Sequence, residues 1–101
     1  MQNRAPATNL TADERRARVA ALRGIVRARD ASFDAASRAF ADAIRLDPAL
    51  DLVTVPGFWK LTSRGQQAAI DAYEREGRGH DASKLTALAR RFQRLRLVGD
   101  A

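Results

Sequence analysis

The side chains of this 101-residue chain that could do chemistry are few: one histidine, one tyrosine, one tryptophan, no cysteine and an abundance of arginine. His80 stands beside Asp81 at the end of the run Gly77-Arg78-Gly79-His80. An imidazole next to a carboxylate is the minimum of a general base, but this pair has no third group close in sequence, and its glycine-flanked setting is that of a helix cap or a loop. Gly77-Arg78-Gly79 is too short for a phosphate loop and follows a helical pattern rather than a strand. With no second histidine, no converging carboxylates and no thiolate, the metal-ligand patterns are missing as well. Tyr73 and Trp59 read as core aromatics rather than stacking platforms. The expectation is therefore no enzyme, no cofactor and no metal; catalysis would require His80 or Tyr73 to share a pocket with a second polar group.

Arginine placement is the other chemical signal. Arg16, Arg23 and Arg27 fall on one stripe of a first helix, and Arg90, Arg91 and Arg94 share the outer face of a last one. Such stripes could follow phosphates or grip an acidic helix, above all if the two helices lay side by side. Alternatively, the arginine stems cover apolar edges and their heads pair with Asp13, Glu74 or Glu76. The net charge of +6 favours an acidic partner. An alanine- and arginine-rich composition is also what GC-rich coding produces, so clustering rather than total charge is the informative quantity.

The chain is long enough for one modest core, not for a core plus a deep cleft. The absence of cysteine fits a reducing compartment. The first residues (MQNRAPATNL) carry no apolar segment of the secretory kind, and no run approaches the roughly 18 apolar residues of a spanning helix. A cytoplasmic location with no membrane attachment is expected.

Four helices are expected to carry these groups. Residues 1–10 read as a flexible tail, and 11–99 as one helical domain. Thr11 and Glu14 form a capping box, after which Val19, Leu22 and Val26 make an apolar stripe as far as about Ala28. Asp30 or Ser32 caps a second helix in which Phe33, Ala36, Phe40, Ala43 and Ile44 share a face, stopped by Asp47-Pro48. Gly24, inside the first helix, costs about 1 kcal/mol relative to Ala and implies the close approach of another backbone. Leu52 to Val55 and Phe58 to Leu61 flank Pro56-Gly57, and form either a short β-hairpin near 52–61 or an irregular loop that plugs the core with Phe58 and Trp59. A third helix from Thr62 or Ser63 carries Ala69, Ile70 and Tyr73, ending near Gly77. A fourth opens at His80 or Asp81, with Leu85, Leu88, Phe92 and Leu95 inward and Gly99 as its cap. The fold class is all-α: two helical hairpins joined by that loop or short β-hairpin.

The segment Ala17 to Leu50, with Gly24, Phe33, Ala36, Phe40, Ala43 and Leu46-Asp47-Pro48, resembles a tetratricopeptide-type helical hairpin. Ser63 to Arg96 partly repeats it through Tyr73, Gly77, Ala82 and Ala89. In that family small residues let paired helices approach and aromatics fill the groove to the next pair; the resemblance implies a protein-binding module. Arg23 and Arg27 stand where the family has Leu and an aromatic, the second hairpin lacks the closing proline, and Asp51 to Thr62 has no counterpart in a regular array. A second passage, Trp59 to Gly65, is similar to the strand and Leu-Thr-x-x-Gly helix start that follows the wing of bacterial winged-helix regulators. It would make the Ser32 to Leu46 helix the recognition helix. The exposed Asp34 and Asp42 of that helix do not suit a major groove, and only one helix precedes it.

The leading expectation is a non-catalytic protein-interaction or adaptor module with a basic surface for a protein partner, acidic in character. The alternative is a nucleic-acid-binding protein, a winged-helix-like regulator. A homodimer, or folding coupled to a partner, is compatible with four short alanine-rich helices.

Overall fold

A computed structural model describes the backbone of residues 10–100 and the side chains of residues 10–95. Among the described residues there are four α-helices and no strand: α1 (Ala12–Arg29), α2 (Phe33–Leu46), α3 (Ser63–Arg75) and α4 (Gly79–Asp100). The all-α expectation holds. The tail expected at 1–10 falls almost wholly outside the described residues.

Local chemistry explains each boundary. The Thr11 backbone N–H donates to Glu14 Oε1 at 2.8 Å, and the Glu14 N–H donates to Thr11 Oγ1 at 3.1 Å, the reciprocal capping box. At the other end of α1 the Ser32 N–H bonds to the Arg27 carbonyl (2.8 Å) and the Ala31 N–H to the Ala28 carbonyl (3.1 Å). This is a Schellman closure with Ala31 in the left-handed region at φ 62°. α3 ends in the same way: the Arg78 N–H reaches the Tyr73 carbonyl, the Gly77 N–H reaches that of Glu74, and Gly77 takes φ 71°. Both hairpins are thus turned by one backbone device. Thr62 Oγ1 caps α3 by accepting from the Gly65 N–H at 3.2 Å. α4 runs past Gly99 to Asp100, so Gly99 is no cap and the Arg90 to Arg94 cluster lies well before the helix end.

The 52–61 segment is an irregular connection built from two 3-10 turns, Leu52–Thr54 and Phe58–Lys60. Between them the Phe58 N–H bonds to the Val55 carbonyl at 3.0 Å and Gly57 adopts φ 90°, ψ −8°, the geometry of a type II turn. That turn splays flanking segments instead of pairing them, so the β-hairpin alternative does not form, nor do the strands expected of a wing. Fully buried Phe58 anchors the loop. Its ring meets Trp59 edge-on at 5.0 Å, and Trp59 in turn packs on Phe92 of α4 at 4.6 Å.

The helices pack in chain order, each against the next, with a smaller contact of α1 on α3. The interior is assembled from small residues around a few large ones. Ala17, Ala20, Ala21, Gly24, Ile25 and Ala28 form the inner face of α1, while Phe40, Ile44, Leu52 and Phe58 are the large side chains buried outright. Burying each of these contributes about 1.5–3 kcal/mol. Buried Gln66 is satisfied: its Nε2 donates to the Leu61 carbonyl at 3.2 Å, and its Oε1 accepts from Gln93 at 3.4 Å, tying α3 to α4.

This packing reverses the expected orientation of α1. Val19, Leu22 and Val26 are 55%, 45% and 53% exposed. The reason is helix proximity: the alanine and glycine face lets α2 come close, and branched side chains there would hold it off. α4 differs in a similar way. Leu85 and Ala89 are buried and Phe92 is half-buried, whereas Leu88 and Leu95 face outward.

Candidate functional site

α1 sets the geometry of the strongest candidate surface. Because Ala17, Ala21, Gly24, Ile25 and Ala28 turn inward, the helical repeat places Val19, Leu22 and Val26 together on the opposite side. Arg16, Arg23 and Arg27 run along the flank nearer α2, and Arg18 and Arg29 along the other. All five of these arginines are exposed. From Arg15 to Arg29 the helix carries no carboxylate. Arg16 pairs with Asp13 in the first turn, which is the one pairing expected of this stripe that forms. Among the described residues Arg18, Arg23, Arg27 and Arg29 have no ion pair and no side-chain hydrogen bond.

Toward α2 this face opens into a groove of about 780 Å³ whose lining includes Arg15, Arg16, Val19, Arg23, Arg45 and Leu46. Asp42 is the acidic group on its wall, held at 3.0 Å by Arg45. Arg45 also reaches Glu76 at 3.3 Å. Hydrogen bonding to Glu76 and the charge of that carboxylate raise the Arg45 guanidinium above its ordinary value. Glu76 is thereby engaged with α2 and not with the α1 stripe.

Arg90, Arg91 and Arg94 are exposed on α4, again without a partner among the described residues, and Leu88 and Leu95 stand beside them. α1 and α4 share no packed interface. The two stripes therefore do not merge into one basic surface; the structure brings together Arg16, Arg23 and Arg27 as one group, and Arg90, Arg91 and Arg94 as another. Reading the larger apolar residues of α1 as core concealed the more informative pattern: a second face of the helix, made of alanine and glycine, was available for packing.

The two residues considered for catalysis stand apart from each other in burial. His80 is exposed at the start of α4. Tyr73 lines a hollow of about 220 Å³ with Asp51, Arg78, Asp81 and Lys84. Burial pushes the Tyr73 hydroxyl above the ordinary tyrosine value, and its oxygen accepts the Leu52 N–H at 3.3 Å. A phenol held neutral is a poor base and nucleophile at neutral pH. Arg78 stacks on the Tyr73 ring, 5.1 Å from its centroid, and donates to Asp81 at 2.8 Å, so the charges lining this hollow largely balance one another.

No group of three or more potential metal ligands occurs among the described residues, and no helix among them is long and apolar enough to cross a membrane. Comparisons with protein-family models, with curated proteins and with solved structures find no match.

Proposed function

We propose that this chain is a non-catalytic protein-interaction module that uses the outer face of α1 to take an acidic partner. The observation that carries the reading is the three-residue apolar stripe Val19, Leu22 and Val26, each about half exposed and set among arginines of which Arg16 pairs with Asp13 while Arg18, Arg23, Arg27 and Arg29 have no ion pair among the described residues. Apolar side chains grouped on a surface and rimmed by charge are characteristic of interaction sites. The like closure of the two hairpins and the alanine-lined helix contacts support a repeat-type helical scaffold of the tetratricopeptide kind, whose role is to present such a face. A photocrosslinking residue at Val19, with Thr54 as the control position, tests this in the native host. A discrete, nuclease-resistant protein adduct is expected from Val19, and not in a Leu22→Ser/Val26→Ser background. Equal adducts from both positions, or adducts destroyed by nuclease, overturn the reading.

A second reading rests on the exposed, unpaired Arg90, Arg91 and Arg94: α4 as a phosphate-contacting surface of a nucleic-acid-binding protein. It requires salt-sensitive binding to a random-sequence DNA duplex or an RNA hairpin, abolished by Arg90/Arg91/Arg94→Ala and measured by fluorescence anisotropy. No binding at low salt removes it.

A further inference from the structure

We infer that the partner element received by α1 is an acidic amphipathic helix, lying lengthwise on Val19, Leu22 and Val26 with its carboxylates against the flanking arginines. The inference rests on the interaction-module reading and adds the chemistry and shape of the occupant.

Spacing gives the shape. Val19, Leu22 and Val26 follow the i, i+3, i+7 pattern of a helix-packing seam; carried outward, the same register reaches Arg15 and Arg29, which bound the seam with charge at its two ends. Two turns of helix separate Val19 from Val26, about 10 Å along the axis. A rod-like partner could set its own apolar residues between them, whereas a phosphate backbone would leave all three against water or charge. The groove toward α2 gives such a helix a wall on one side, with Leu46 adding apolar surface; the charge of Arg45 on that wall is already met by Asp42 and Glu76.

Charge selects the occupant. Arg16 and Arg23 border the seam on one side and Arg18 on the other, the positions from which charged residues in paired helices choose partners. A second copy of this chain would set α1 against α1 with six arginines on each, Arg15, Arg16, Arg18, Arg23, Arg27 and Arg29. Docking α1 on α4 of another copy gives no relief, because Arg90, Arg91 and Arg94 are unpaired there too. Within the chain itself the exposed face of α2 alternates in sign through Asp34, Arg38, Asp42 and Arg45, so it is no acidic mate for the seam. A helix with Leu in the seam and Glu along both margins satisfies both demands, with bidentate arginine–carboxylate pairs at the rim.

The test uses a fluorescein-labelled peptide of about 21 residues, with Leu at seam positions and Glu on both margins. Two controls accompany it: the same peptide with Lys for Glu, and a scramble of equal composition without the periodicity. Anisotropy at near-physiological salt should show the Leu/Glu helix bound at least about tenfold more tightly than the scramble, a difference of about 1.4 kcal/mol. Val19→Ser/Leu22→Ser/Val26→Ser should weaken it by about tenfold or more. Arg23→Glu/Arg27→Glu should abolish it and accept the Lys peptide instead. Circular dichroism checks the fold, and if the serine variant unfolds, the charge-reversal exchange decides by itself. Equal binding of helix and scramble, or no effect of either variant, overturns the inference. So does displacement of the peptide by duplex DNA, or a concentration-dependent dimer that the serine substitutions dissociate. A nuclease-resistant protein adduct at Val19 with no binding of the designed helix refutes the helical partner while leaving the interaction module standing; loss of the adduct refutes both.

Discussion

Gly24 of α1 lies directly on the ring of Phe40 of α2: a Cβ built on the glycine would stand 2.5 Å from Cδ1 and Cε1. Both residues are buried, and Phe40 has no exposed surface, so the ring has nowhere to retreat. The glycine is what permits this helix pair to close around an aromatic side chain.

Gly24→Ala sets two effects against each other. Helix propensity favours alanine by about 1 kcal/mol, while overpacking costs about 1–3 kcal/mol. The variant should be destabilised on urea unfolding, and Phe40→Leu should reduce that penalty, giving a coupling between the sites in a double-mutant cycle. A Gly24→Ala protein more stable than the parent would show that α1 and α2 do not meet in this way.

Ala31 presents the opposite case, a side chain where the backbone favours glycine. It holds φ 62° in the same Schellman position that Gly77 fills after α3. A left-handed conformation costs an L-residue about 1–2 kcal/mol, partly offset by the greater freedom glycine has when unfolded. Ala31→Gly should raise stability by about 0.5–1 kcal/mol, seen as a higher urea midpoint at unchanged slope. A lower midpoint would place Ala31 outside the left-handed region.

Tyr73 gives the fold an alkaline limit. Burial raises its folded-state value above the ordinary one of about 10. Its contribution is complete below the unfolded value, and falls as pH rises through that value toward the folded one, because only the unfolded chain then ionises. Tyr73→Phe should flatten this loss above about pH 10. At neutral pH it should cost about 1 kcal/mol, because the Leu52 N–H loses its acceptor. As Tyr73 is the only tyrosine in the chain, tyrosinate absorbance reports it alone; titration at the ordinary value in the folded protein would contradict a buried hydroxyl.

The two faces of α1 should separate cleanly in stability measurements. Val19→Ala and Val26→Ala, at exposed positions, should change stability by no more than about 0.5 kcal/mol each. Ile25→Ala, where the side chain is 3% exposed, should cost about 2–5 kcal/mol. A loss at Val19 as large as that at Ile25 would mean the stripe serves the core and not a partner.

Helix positions followed from local chemistry. Thr11 with Glu14, Asp47 before Pro48, and Gly77 mark boundaries through bonds made within a few residues, and each lies where its pattern indicates. The buried face of α2, from Ala36 through Phe40 to Ile44, was equally legible because its apolar residues occupy one side only. α1 was ambiguous in sequence, having two candidate faces: Val19, Leu22 and Val26 against alanines, Gly24 and Ile25. Hydrophobicity alone favours the larger residues, but the gain from burying a valine is outweighed when a smooth face allows closer helix approach and room for Phe40. Only the packing of α2 on α1 decides that contest. Likewise, the presence of two arginine stripes is written in residue spacing, while their separation follows from α1 and α4 standing apart in the helix order. The local code determined the elements and the charge they carry; tertiary packing decided which face was left outward, because burial is a property of pairs of surfaces and no single helix contains it.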